Sequence, residues 1–191
     1  MQYLGLVDTP TVSAPSDWAQ SEIDKAVGYG LIDSNTNYSY QNNITREQFA
    51  ELIVTCVEKL VDTSYLDYAQ PFIDSSNPQV LKAASMGIVS GVGDNYFAPE
   101  QNITRQEIAV MMYRAIKYVE NWAGTAYIQD DTWLDGYIDS DMISDWAYEA
   151  MAALINNQIL FGTGDAAIAP LDNTTVEQAI LLDVRIFERM L

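Results

Sequence analysis

Histidine is absent from this chain of 191 residues. Its absence removes Ser-His-Asp and Cys-His machinery, imidazole metal sites and any side chain ordinarily titrating near pH 6.5. Basic residues are scarce: nine Lys and Arg stand against 27 Asp and Glu, a net charge of 9 − 27 = −18. A body so negative repels phosphate backbones and anionic lipid, which argues against nucleic-acid and membrane-surface partners. The one cysteine, Cys56, cannot form an internal disulfide. It falls on an apolar helical face and reads as a small buried hydrophobe rather than a reactive thiol. No apolar run approaches the roughly 20 residues that span a bilayer. Residues 1–14 lack the basic start and apolar stretch of a secretory leader. The expectation is a soluble chain, either intracellular or cut from a longer secreted protein. Hydrophobic residues make up 49% of it, too many for an acidic disordered tail.

Self-comparison reveals an internal repeat. Ile44-Thr45-Arg46-Glu47-Gln48-Phe49-Ala50 returns 59 positions on (44 to 103) as Ile103-Thr104-Arg105-Gln106-Glu107-Ile108-Ala109. Thr174-Thr175-Val176-Glu177-Gln178-Ala179-Ile180 is a weaker third copy. Ser16-Asp17-Trp18-Ala19 matches Ser144-Asp145-Trp146-Ala147 upstream of two copies, and Phe72-Ile73-Asp74 matches Tyr137-Ile138-Asp139 and Leu6-Val7-Asp8.

Each copy reads as helix, short extended segment, turn, helix. The first helix of copy one is expected to start at Ser16 or Asp17, with Trp18, Ile23, Ala26 and Val27 on one face and Gly30 ending it. In copy two Asn77 caps, Pro78 takes the first helical position, and the helix ends at Gly87. Copy three runs from Ser144 to Asn156-Asn157. Gly91-Val92-Gly93-Asp94-Asn95 supplies positive φ angles for a tight turn, a better reading than phosphate binding where no strand-then-helix context exists. Each second helix opens on a capping box: Thr45 with Gln48, Thr104 with Glu107, Thr175 with Gln178. Apolar residues follow at helical spacing: Phe49, Ile53, Cys56, Val57 and Leu60, then Ile108, Met112, Ala115, Ile116 and Val119. Copy three interrupts that register with Asp183, so either its helix rotates to bury Ile180, Val184 and Phe187, or Asp183 finds a buried partner.

The aromatic-x-Asp, the Trp-Ala helix, the glycine turn with Phe-x-Pro and the Ile-Thr-Arg opening resemble the S-layer homology (SLH) domain. Copy two, from Phe72 through Glu107, matches closely but lacks the Trp. Copy one lacks the Gly-x-Gly turn and has Gln48 for the Glu. Copy three keeps Trp146, Gly162, Gly164 and Pro170, but Val176 replaces the Arg. The resemblance implies a mainly α fold: three repeats in a pseudo-threefold arrangement around a central three-helix bundle. One domain over 1–191 is expected, with units at 1–62, 63–122 and a degenerate 123–191. It further implies a non-catalytic, extracellular module that anchors proteins to the bacterial cell wall or S-layer. It would do so by binding secondary cell-wall polysaccharide, often pyruvylated, in grooves between units. No cofactor or metal is expected. Surface-layer proteins are possible partners.

The candidate ligand residues are Arg46, Arg105, Glu107, Ser90, Gly91, Asp74, Asp139, Trp18 and Trp146. Each carries a structural reading beside the functional one. The capping box accounts for Glu107 as it does for Gln48 and Gln178. Arg46 and Arg105 sit in a first helical turn, where the macrodipole disfavours a cation by about 0.3–1 kcal/mol. Something else must use their charge, either a neighbouring unit's carboxylate or an anion at the helix N-terminus. Trp18 and Trp146 read as packing or as sugar-stacking rings. Asp8, Asp74 and Asp139 read as turn residues or as acceptors of sugar hydroxyls. Asp130, Asp131 and Asp135 lack calcium-loop spacing and read as a solvated charge run. Two other functions remain: an interaction or assembly module that has lost the glycan, and a two-carboxylate glycosidase, for which no residue pair stands out.

Overall fold

The computed structural model describes residues 13–33, 39–130 and 133–191. The copies of the aromatic-x-Asp motif at Asp8 and of the acidic run at Asp131 lie outside them. Six α-helices form among the described residues: α1 Gln20–Tyr29, α2 Arg46–Leu60, α3 Pro78–Ser85, α4 Arg105–Ala123, α5 Asp145–Asn156 and α6 Val176–Met190. The expected extended segments make isolated bridges rather than strands. The architecture is mainly α, as the sequence implies.

Helices α2, α4 and α6 pack on one another as a central bundle, and each carries one outer helix: α3 on α2, α5 on α4, α1 on α6. The apolar stripes read from the sequence make this core. Phe49, Ile53, Cys56 and Val57 of α2 and Ile108, Met112, Ala115, Ile116 and Val119 of α4 are all buried. Every outer helix therefore lies against the core helix of the preceding unit, and α1 closes the ring on α6.

Three backbone hydrogen bonds tie the helix starts into a closed circuit. Ile44 N–H donates to Thr174 O (2.9 Å), Thr174 N–H to Ile103 O (3.3 Å) and Ile103 N–H to Ile44 O (3.2 Å). The first-turn donors follow the same order. Arg46 and Glu47 N–H reach Gln101 and Pro99 O, Arg105 and Gln106 reach Asp172 and Pro170 O, and Val176 and Glu177 reach Asn42 and Tyr40 O. The capping boxes take what remains. The Gln48 and Gln178 N–H groups donate to Thr45 and Thr175 Oγ1, while Thr45, Thr104 and Thr175 N–H are received by Gln48, Glu107 and Gln178. The first-turn donors of α2 and α6, and the first two of α4, are thus already occupied.

α1 departs from expectation. It begins at Gln20 behind Ala19, without a side-chain cap, because Ser16 is engaged elsewhere. Its N–H and its hydroxyl both donate to the Glu177 carboxylate at 2.8 Å. Related contacts recur in the other units: Ser144, the equivalent residue, donates its N–H to Gln106 (3.0 Å), and Ser75, two residues before the equivalent Asn77, donates its hydroxyl to Glu47 (3.0 Å). Ile23 and Ala26 are buried as expected, but Trp18 and Val27 are exposed. The buried clasp at Glu177 holds the start of α1 to α6. In Glu177→Ala, which loses both hydrogen bonds to the carboxylate, hydrogen exchange of the Ile23 and Ala26 amides is expected to accelerate by about tenfold or more. Glu177→Gln, which reproduces the Gln106 arrangement, should restore most of the protection.

In copy three the burial reading holds, and Asp183 goes into the core without the partner that the other reading required. Ile180, Val184 and Phe187 are buried, and so is Asp183, at 0% exposure. Among the described residues neither Asp183 carboxyl oxygen has a hydrogen-bond partner, nor has the buried Thr174 hydroxyl. Burial pushes the Asp183 carboxyl well above its ordinary range, against a small opposing pull from the neighbouring Cys56 thiol. Burial and that carboxyl raise Cys56 in turn.

Candidate functional site

Three grooves relate to one another by the pseudo-threefold axis, each formed by a core-helix start, the next unit's turn, the next core helix and an outer helix. The turns are built by two devices. Gly93, Asp94 and Asn95 take positive φ (122°, 49° and 61°), as Gly164, Asp165 and Ala166 do (120°, 47° and 57°). Val92 N–H closes the turn on Tyr96 O at 2.7 Å, and Thr163 N–H on Ala167 O at 2.8 Å. Gly91 is required by close approach rather than by φ: a Cβ there would lie 2.7 Å from Tyr96 O and 3.2 Å from the Phe72 ring. Gly162 stands in the same relation to Ala167 O, at 2.6 Å.

Asp74 and Asp139 pin the far side of these turns. Asp74 accepts from Phe97 N–H (2.7 Å) and Ala98 N–H (2.8 Å), and Asp139 from Ile168 N–H (2.8 Å) and Ala169 N–H (2.7 Å). Ala98 and Ala169 have positive φ, 60° and 53°, a conformation these bonds help to hold. Both aspartates titrate below their ordinary value: partial burial opposes the shift, and the backbone donors overcome it. Their role in the structure is the turn-fixing one.

Groove one is a cleft of about 290 Å³ lined by Arg46, Val89, Ser90, Gly91, Val92, Glu107, Val110, Met111, Arg114 and Trp146. Arg46 lies on its floor, 6% exposed, over the Phe97 ring at 5.0 Å. Its Nε donates to Phe97 O (3.0 Å), Nη2 to Ser90 O (3.1 Å) and Nη1 to Glu107 Oε1 (2.9 Å). Burial lowers its pKa, partly countered by Glu107. Glu107 works on two sides, because its Oε2 takes the Thr104 N–H (2.9 Å) and hydroxyl (2.6 Å). The cation that opposes the helix dipole thus serves the neighbouring unit's carbonyls and carboxylate, not an anion at the helix N-terminus.

Arg114, which the motif comparison did not single out, is the exposed cation of this groove. Nη1 donates to Ser90 Oγ at 3.1 Å, and no carboxylate pairs with it among the described residues. A position nine beyond the motif arginine was the available signal, since Arg185 stands equivalently in copy three. Trp146 is 58% exposed and presents its ring at the cleft. Trp18 is 54% exposed at the equivalent place, so packing accounts for neither ring.

Groove two has the same plan with different occupants. Arg105 is buried and gives Nε to Ile168 O (2.8 Å) and Nη2 to Phe161 O (2.7 Å). Gln178 stands where Glu107 does, so Arg105 has no salt bridge among the described residues, and burial lowers its pKa despite Asp172 and Asp139 nearby. Phe161 replaces Ser90. Arg185 lies over its ring at 4.6 Å and donates to Ile159 O (3.1 Å). In groove three Val176, Asp33, Gln48, Thr55 and Gln79 hold the places of Arg46, Ser90, Glu107, Arg114 and Trp146, and no basic side chain is among the described residues lining it. Elsewhere, Asp130 pairs with Lys117 at 2.6 Å.

Residues 73–109 and 137–180 match the family model of the S-layer homology domain. Three curated relatives align with the chain. An endoglucanase of Bacillus sp. (strain KSM-635) is 32% identical over 149 residues, 76% of this chain and 15% of the relative. An amylopullulanase of Thermoanaerobacterium thermosulfurigenes and an exoglucanase, XynX, of Acetivibrio thermocellus are each 25% identical over 91% of this chain. The match spans 9% of the first of these two and 16% of the second. The two matched segments contain the turns, the aspartates that pin them and the starts of α4 and α6, and the chain belongs to the S-layer homology domain family.

Proposed function

We propose that this domain anchors a larger cell-surface protein to the bacterial wall by holding a wall glycan in groove one. The observation that carries the reading is Arg114: an exposed cation without a carboxylate partner, beside a half-exposed Trp ring, in a body of charge −18. An aromatic face suits the apolar side of a sugar ring, and a guanidinium grips a carboxylate by paired donors. The ligand class the site fits is therefore a sugar bearing an acidic group, such as a pyruvyl ketal. Trp146 would stack on the ring, Arg114 would take the acid, and Ser90 and the Gly91 backbone would receive hydroxyls. Arg46 and Glu107 would hold the floor. The family relationship supports wall association, and the relatives carry names of polysaccharide-degrading enzymes of which this chain matches only a small part.

A glycosidase reading finds little support. Groove one is lined by a single carboxylate, Glu107, and Arg46 neutralises it, whereas glycoside hydrolysis ordinarily needs two. An assembly role would not need an unpaired cation beside a ring.

The test is co-sedimentation with Gram-positive wall sacculi, before and after chemical removal of the secondary polymer. The chain should pellet with intact walls and stay in solution with stripped ones. Arg114→Ala should weaken the interaction at least tenfold without altering the fold, since its side chain is exposed. The long-range charge of the protein repels an anionic polymer, so binding should tighten from low to moderate salt before screening weakens the local contact. Equal pelleting by wild type and Arg114→Ala would sink the site assignment.

A further inference from the structure

Comparison of the three grooves position by position shows that they are not equivalent sites. The five places are a buried motif cation, the turn residue above it, the capping-box partner, the exposed cation nine residues on, and the outer-helix aromatic. Groove one fills them with Arg46, Ser90, Glu107, Arg114 and Trp146. Among its described lining residues groove three has neither arginine nor tryptophan, and it adds the carboxylates of Asp33 and Glu51. An acidic sugar would meet like charge there and, among the described lining residues, no ring to stack on. Groove two retains both cations and Trp18, so motif matching alone would pass it as intact. The difference is at the turn. Phe161 stands where Ser90 offers its hydroxyl, and Arg185 lies over the Phe161 ring with Nη1 on Ile159 O. A stacked, half-buried guanidinium has lost the freedom and part of the solvation that its exposed counterpart Arg114 keeps.

We infer that the chain carries a single competent groove and that Phe161 is the residue that disables the second. This rests on the wall-glycan reading of groove one. Phe161 acts in two ways. It replaces a hydrogen-bonding hydroxyl with an apolar ring, and it holds Arg185 away from the position in which Arg114 meets ligand. One chain therefore takes one glycan residue at a time, and its avidity for a repeating polymer comes from neighbouring copies rather than from three grooves of one domain.

The experiment uses the methyl glycoside of a pyruvyl-ketal hexosamine as probe. It is followed by calorimetry and by the indole N–H resonances of the four tryptophans. The unmodified chain should bind one equivalent, with a shift at Trp146 and none at Trp18. Phe161→Ser should bind two equivalents and bring Trp18 into the response. Shifts at both tryptophans in the unmodified chain, or two equivalents bound by it, would overturn the single-groove inference and leave the wall-glycan reading standing. A folded Phe161→Ser that still binds one equivalent would remove Phe161 as the determinant. No shift at either tryptophan would sink the wall-glycan reading and this inference with it. The tryptophan readout on the unmodified chain decides the matter even where the variant folds poorly.

Discussion

Asp183→Val is expected to make the protein more stable, by about 2–4 kcal/mol at pH 8, as measured by urea unfolding. Few surface or core changes stabilise a natural protein this far. The expectation follows from where Asp183 sits. It is fully buried on the seam of the central bundle, at the place occupied by Ile53 in α2 and Met112 in α4, with both carboxyl oxygens unpartnered. Removing an uncompensated buried polar group and filling its space with a branched hydrocarbon of similar size removes a penalty of that order.

The pH dependence gives the prediction a second, independent signature. Folding raises this carboxyl above its ordinary value of 3.8. Its contribution is therefore fully present below the unfolded pKa and is lost as pH rises through the folded one, because the unfolded chain gains a charge that the folded chain resists. Cys56 of α2 is the ionisable neighbour that acts on it. Asp74 and Asp139 work in the opposite direction: their stabilisation is present above 3.8 and lost in acid. The advantage of Asp183→Val over the wild type should thus be small near pH 4 and grow toward pH 8. Asp183→Asn should show the flattened pH profile with a smaller gain, since its amide stays unsatisfied. A variant less stable than the wild type at pH 8 would show that the carboxyl has a partner in solution.

Arg46→Val has the largest expected effect in the other direction, a loss of about 3–5 kcal/mol. The substitution installs the residue that copy three carries at Val176. In α2, though, it would strand Phe97 O, Ser90 O and the Glu107 carboxylate, which Arg46 joins at 2.9–3.1 Å. Glu107→Gln added to Arg46→Val should recover part of the loss, because it removes the unpaired charge while retaining the capping box that Gln48 and Gln178 already make. A coupling within the usual 0.5–3 kcal/mol for contacting residues is expected from the double-mutant cycle. Additive losses would mean that the pair contributes nothing beyond its separate bonds. Both variants should also lose wall binding, which separates them from Arg114→Ala, where binding falls and stability does not.

These cases mark how far the residues could be read without coordinates. The capping boxes, the Asn77-Pro78 start, the Gly30 stop and the buried stripes of α2 and α4 are local, and local patterns survive in sequence. The anomaly of Arg46 and Arg105 was also legible, since a cation in a first helical turn demands a partner. Which partner was not legible, because the carbonyls of Phe97, Ser90, Ile168 and Phe161 lie 44 to 63 residues away. Arg114 escaped notice for a related reason: it belongs to no short motif, and only the turn folding over α4 brings Ser90 to it. Ser16 looked like a helix cap and serves instead as a ligand of Glu177, a distinction that rests on a contact across 161 residues. Asp183 lay between two readings, a rotated helix or a buried partner, and the structure buries the carboxyl together with Ile180, Val184 and Phe187 but gives it no partner among the described residues.

That last long contact bears on how the domain comes into being. Helices α3 and α5 find their partners, α2 and α4, already made when they emerge from synthesis or export. α1 does not. The chain must complete α6 before its first helix has a surface to rest on, and until then the apolar side of α1, with Ile23 and Ala26, stays in water. Closing a loop of that length is slow and entropically costly, so the ring should shut last.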